Sequence, residues 1–175
     1  MKDNLILSNI IRFIIVFLLQ ALLFNYLNIF GFINPSFYLY FVLLIPFETP
    51  VWLLLIISFF TGLTQDIFVS TGGIHAAATT AIAGIRPFLS NIIIAKKEYE
   101  AWLKPNLSDL GWKSFLAYSS IIIAVHSLIV TLLDVFRFSN FLNTLKNTFL
   151  LFISTLFFIL LCELLININK KKKRR

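Results

Sequence analysis

Charge is scarce in this chain and cysteine is almost absent. Only 13% of the 175 residues are charged, whereas 59% are hydrophobic. A soluble domain carries about twice that share of charge. So small a polar inventory cannot cover a globular core of this size with wetted surface, and the chain reads as an integral membrane protein. The single Cys162 excludes an intrachain disulfide and leaves no basis for a cysteine metal cluster. No GxSxG, HExxH, P-loop or kinase-type pattern occurs, so no familiar catalytic or nucleotide motif is present. The first apolar run is long and lacks an A-x-A-like site, which argues against a cleaved signal peptide.

What is present is a succession of apolar runs. A span needs roughly 20 apolar residues, fewer if it is buried among neighbours. Six segments are predicted: Leu5–Phe30, Ser36–Phe47, Val51–Phe68, Ile74–Ile85 with a continuation towards Ile94, Trp112–Phe136 and Phe141–Ile168. The fold class expected is therefore an all-α, polytopic membrane helix bundle of about six transmembrane helices. Residues 1–169 form a single domain and 170–175 a basic tail. The second segment is too short for a straight full-thickness span. It is either a short pass inside the bundle or one half of a hairpin with the third. Gly31, Asn34-Pro35, Thr49-Pro50, Ser108 or Asp109, and Ser139 or Asn140 supply the expected stop and start chemistry.

The formal charge of +7 is unevenly placed. Basic residues gather at Lys2, at Lys96, Lys97 and Lys104, and at Lys170, Lys171, Lys172, Lys173, Arg174 and Arg175. The intervening loops hold almost none apart from Arg137. The positive-inside rule then puts both termini in the cytoplasm, which requires an even number of spans. The tail is read as a membrane-surface anchor for anionic headgroups rather than a nucleic-acid patch.

Ionisable groups within spans need a reason, and the candidates are Arg12, Asp66, Arg86, His126, Asp134 and Glu163. Arg12 and Glu163, near the cytoplasmic ends of the first and last segments, are expected to snorkel or to pair with each other. His126 and Asp134 are eight residues apart, near one face of their helix, and resemble parts of a proton relay. An outer Asp134 in water beside an ordinary buried histidine accounts for them as well.

The richest stretch is GLTQDIFVSTGGIHAAATTAIAGI, from Gly62 to Ile85. Asp66 and His75 flank its loop without a third ligand nearby, so they are expected to bond loop backbone or each other and fix a helical hairpin. Gly72 and Gly73 would permit the reversal. Gly73, Ala77, Ala81 and Gly84 then fall near one helix face, the spacing that lets helix backbones approach closely in lipid. That face serves internal packing or a partner. Arg86-Pro87 is expected to end or kink the helix, with an interfacial amphipathic stretch beyond it.

At these residues the chain resembles the MreD family of bacterial rod-shape-determining membrane proteins. The matching pattern is an Asp closing one helix, a Ser/Thr-Gly loop, then Gly-x-His-Ala: Asp66, Ser70, Gly73, His75 and Ala76. The IRPF stretch looks like the versions in Bacteroidetes-type bacteria. The resemblance implies a non-catalytic protein of the bacterial inner membrane, with no cofactor and a fold similar to the substrate-binding subunit of energy-coupling-factor transporters. It also implies the single-span MreC as a partner, with cytoskeletal MreB, the RodA glycosyltransferase and a class B penicillin-binding protein in the same peptidoglycan-elongation machinery.

The function expected is thus a membrane scaffold that binds a partner's transmembrane helix. A transporter substrate-binding subunit is the alternative, but that class carries an Ala-x-x-x-Ala surface on its first span, and here that span has only Ala21. A membrane enzyme would need a convergent set of acids and bases, whereas the ionisable groups are scattered along the sequence.

Overall fold

A computed structural model describes residues 2–28, 34–94, 105–135 and 141–173. Five long helices dominate: α1 (Lys2–Leu22), α3 (Val51–Val69), α4 (Ile74–Ile94), α6 (Trp112–Val135) and α7 (Phe141–Lys173). Two short ones, α2 (Leu39–Leu43) and α5 (Leu107–Leu110), lie between them. Four helical stretches are long and apolar enough to cross a membrane: Asn9–Tyr26, Val51–Val69, Trp112–Asp134 and Leu142–Asn169. α4 has 21 residues, about 31 Å of helix, carries Thr, His, Arg and Pro, and is not among these four.

Around an apolar core that includes Phe37, Leu39, Ile82, Phe115 and Ile123, the bundle exposes large apolar side chains and buries polar ones. Ile10, Ile14, Leu18, Trp52, Phe60, Phe149 and Phe157 are exposed, whereas Gln20, Ser58, Gln65, Asp66, Arg86, His126 and Glu163 are buried. Such a shell of Ile, Leu and Phe suits hydrocarbon, and polar groups in that solvent turn towards one another. On α3 the buried positions Leu54, Ser58, Thr61, Gly62, Gln65 and Asp66 recur at helical spacing.

The second segment differs most from a simple helix. Pro35 to Ile45 are buried throughout, yet only Leu39–Leu43 are α-helical. Backbone groups left outside helical pairing have no water to turn to in a bilayer, so side chains must satisfy them. Gln20 of α1 donates from Nε2 to Pro35 O (3.1 Å) and accepts from Tyr38 N at Oε1 (2.9 Å). Ser36 N donates to Thr155 Oγ1 of α7 at 3.0 Å. At the other end, Leu43 O accepts from Tyr118 Oη (3.2 Å) and Arg86 Nη2 (3.4 Å), Ile45 O accepts from Arg86, and Leu44 O accepts from Arg12 Nη1 (3.4 Å). Pro35 sits at the level of Gln20 and Leu44 at the level of Arg12, so this leg runs antiparallel to α1.

Three expected boundaries shift. Asn34 does not cap the second segment, since its Oδ1 accepts from Asn28 N and α2 begins at Leu39 without a side-chain cap. Pro50, also without a side-chain bond, precedes α3 in place of a Thr49 cap. Asn106 caps α5, accepting from Asp109 N at 2.8 Å, and α6 starts after Gly111. The expected stops at Gly31, Ser139 and Asn140 lie outside the described residues.

Pro87 does not end α4, which continues to Ile94. A membrane helix tolerates an interior proline where neighbouring side chains and helices hold the freed backbone. Here the adjacent Arg86 anchors the turn to the buried leg and to Tyr118. The amphipathic stretch expected from Pro87 onward is, as far as Ile94, part of α4 itself, and its remainder lies outside the described residues, as do Lys96, Lys97, Lys104, Arg137, Arg174 and Arg175.

Candidate functional site

The polar interior forms two layers, one towards each end of the bundle. The first is built on Asp66. Its backbone carbonyl accepts from Ser70 N and, at 3.0 Å, from Thr71 N, which closes α3. Its carboxylate opens α4: Oδ1 accepts from His75 N at 3.0 Å and Oδ2 from Ala76 N at 2.8 Å. Thr71 Oγ1 adds a third donor at 2.5 Å. An anion at the unsatisfied N–H groups of a helix N-terminus is favoured by both hydrogen bonding and the helix dipole. One side chain therefore fixes the whole α3–α4 hairpin. The left-handed positions of the turn are Ser70 (φ 59°) and Gly73 (φ 92°), not Gly72.

The two helices meet tightly at Gly62. A Cβ there would lie 2.6 Å from Ala76 Cα, and closer still to His75 O and Thr79 Oγ1. Ala76, Thr79 and Ala83 form the buried, small-residue side of α4. The stripe expected to pack lies elsewhere: Gly73 and Ala81 are half-buried, Ala77 and Gly84 are exposed, and a Cβ on Gly73 or Gly84 would meet nothing within 4 Å. Internal packing of α4 on α3 uses the Ala76 side because Gly62 faces it.

His75 does not brace the loop with its ring, which turns inward. Its Nδ1 lies 3.0 Å from Tyr38 Oη, and the same oxygen lies 2.6 Å from His126 Nε2. Tyr38 and His126 are wholly buried. The phenol has one proton, so it donates to one imidazole and must accept an N–H from the other. The three side chains join the buried leg, α4 and α6 into one hydrogen-bonded unit. His126 Nδ1 has no hydrogen-bond partner among the described residues. Asp134 is exposed, and His126 is bonded to Tyr38 rather than to it. Beside this unit, Asn25 Oδ1 accepts from Gln20 Nε2 (2.7 Å) and Gln65 Nε2 (2.9 Å).

The second layer holds Arg86, Arg12 and Glu163. Arg86, 2% exposed, donates from Nε to Tyr118 Oη at 2.5 Å and from Nη2 to the leg's carbonyls. Its guanidinium also sits 5.3 Å from the Phe47 ring centre. Glu163 accepts from Tyr40 Oη at 2.5 Å and from Leu107 N at 2.9 Å. Arg12 bonds Asn9 Oδ1 (3.2 Å) and Leu44 O, so Arg12 and Glu163 do not pair.

No protein-family model, curated protein or solved structure matches this chain.

Sequence reasoning gathered Asp66, His75 and Ala76, and these do converge on one hairpin. It missed Tyr38, Gln20, Gln65 and Tyr118. Each is an uncharged polar residue in an apolar run, and a search limited to ionisable groups passes over them. Gln20 and Gln65 were the available signal, because an amide within a span needs partners as a charge does. Among the described residues, no group of three His, Cys, Asp or Glu is placed to hold a metal ion.

Proposed function

We propose that this chain is a non-catalytic scaffold of the MreD type in the bacterial inner membrane, which binds the transmembrane helix of MreC and helps position peptidoglycan synthesis during elongation. MreB, RodA and a class B penicillin-binding protein are the further partners of this reading. Both termini lie in the cytoplasm, and six passes are counted by taking the buried leg from Pro35 to Ile45 as the second. A fold similar to the substrate-binding subunit of energy-coupling-factor transporters belongs to the same proposal.

The observation that carries it is the Asp66–Ala76 hairpin. The residues on which the resemblance rests are those whose backbone and side chains close α3 and cap α4. A motif serving architecture rather than chemistry fits a scaffold. Two surfaces support a lipid-buried helix contact. One is the outward stripe of Ala77, Ala81 and Gly84. The other is an apolar groove of about 540 Å³ between α1 and α3, lined by Ile10, Phe13, Leu53, Ile56 and Phe60. Small side chains admit a partner backbone, and packing supplies the affinity in lipid.

Affinity purification from native membrane, with partners identified by mass spectrometry, is the test. A single-span periplasmic protein recovered at near-equal stoichiometry, alongside wall synthases, is the expected result. An ATP-binding cassette module or a retained small molecule would overturn the reading in favour of transport.

A further inference from the structure

A second cavity, of about 330 Å³, opens between α1 and α7 and is lined by both Arg12 and Glu163. A cation and an anion facing one space in hydrocarbon ordinarily meet, and these two do not. Arg12 Nη1 is held by Asn9 and Leu44 O, while each Glu163 oxygen accepts one bond, from Tyr40 Oη and Leu107 N. A guanidinium has five N–H donors and a carboxylate about four lone-pair sites, so among the described residues both keep capacity for a third party.

The rest of the cavity says what that party is. Ile15, Leu19 and Phe37 form its wall, and Ile11, Ile15 and Ile166 are exposed at its mouth towards the surrounding solvent of the bundle. The charged end lies at the bundle's edge. Glu163 holds Leu107 at the start of α5, the exposed Trp112 and Lys113 open α6 just beyond, and α7 runs on to Lys170 and its neighbours. Trp and basic residues mark the level of lipid headgroups. The cavity thus presents a cation and an anion at headgroup depth above an apolar slot.

We propose that it binds one zwitterionic phospholipid with a primary ammonium, a phosphatidylethanolamine. The phosphate is taken by Arg12, the ammonium donates to Glu163, and an acyl chain lies along Ile15 and Leu19. A phosphatidylglycerol is anionic and would offer the carboxylate only the neutral hydroxyls of its glycerol, a weaker partner than an ammonium. A phosphatidylcholine offers no N–H to it. The inference is independent of the scaffold reading and needs only that the bundle sits in a membrane.

The test is native mass spectrometry of the full chain in mild detergent, titrated separately with palmitoyl-oleoyl phosphatidylethanolamine, phosphatidylcholine and phosphatidylglycerol. One bound phosphatidylethanolamine is expected, half-saturating at about tenfold lower concentration than the other two, the difference of one well-placed ionic hydrogen bond. Glu163→Gln is expected to erase the preference over phosphatidylcholine, and Arg12→Gln to weaken retention of all three. Because Glu163 also holds Tyr40 and Leu107, Ile15→Trp provides a variant on the exposed wall. It should fill the slot and abolish retention with an unchanged melting temperature. Equal retention of the three lipids by the unaltered protein, a preference for phosphatidylglycerol, or full retention by Ile15→Trp would each overturn the proposal.

Discussion

Asp66 Oδ2 accepts the backbone N–H of Ala76 at 2.8 Å, so the last turn of α3 caps the first turn of α4. The cap comes from the preceding helix of the same hairpin, and the same residue's carbonyl terminates its own helix. The hairpin is therefore over-determined by one side chain.

Asp66→Ala should remove three acceptor contacts and strand two buried N–H groups. The expected loss is about 2–3 kcal/mol, since a hydrogen bond to a charged group is worth roughly that much and orphaned donors add to it. Asp66→Asn keeps one acceptor oxygen and should fall between. Thermal unfolding of the detergent-solubilised protein reads the series, and an unchanged melting temperature for the alanine variant would refute the capping role.

Gly62→Ala should destabilise the α3–α4 contact by about 1–3 kcal/mol, because the added methyl meets backbone that cannot give way. Gly84→Ala meets nothing and should gain about 1 kcal/mol from helix propensity. Opposite signs in the same melting assay are the expected result, and equal effects would show that the close approach is unimportant.

Ser70 occupies a left-handed position at φ 59°, where a Cβ is strained. Ser70→Gly should raise stability by about 1 kcal/mol. A lower melting temperature would mean the serine side chain contributes more than its backbone strain removes.

Tyr38→Phe leaves two imidazole nitrogens without their shared partner in a buried setting and should cost about 1–3 kcal/mol. Removing a second member of the unit, as in Tyr38→Phe combined with His126→Leu, should be less damaging than the sum of the two single changes. Strict additivity in this double-mutant cycle would show that the three side chains are not one unit.

The Ala77 and Ala81 positions separate architecture from partnership. Ala77 is exposed and Ala81 half-buried, both off the Gly62 contact. Ala77→Leu should therefore hold protein level and melting temperature, Ala81→Leu should cost some stability, and both should lower co-purification of a partner helix. Unchanged partner yield for both variants would remove this stripe from the interface.

Composition and local pattern are enough to specify the solvent of this protein and the punctuation of its helices. Ile, Leu and Phe run in stretches long enough to cross hydrocarbon, and Asp66, Ser70 and Gly73 mark the hairpin because capping and left-handed turns are local in chain distance. The remainder depends on contacts between helices. Whether Ala76 or Ala77 faces the core depends on which side of α4 Gly62 approaches, a contact that periodicity alone leaves open. The second segment reads as a short helix because its residues are apolar. The Arg12, Gln20, Arg86, Tyr118 and Thr155 side chains arriving from α1, α4, α6 and α7 allow its backbone to stay irregular while buried. Hydrogen bonds of that kind join residues far apart in sequence, and no local pattern encodes them.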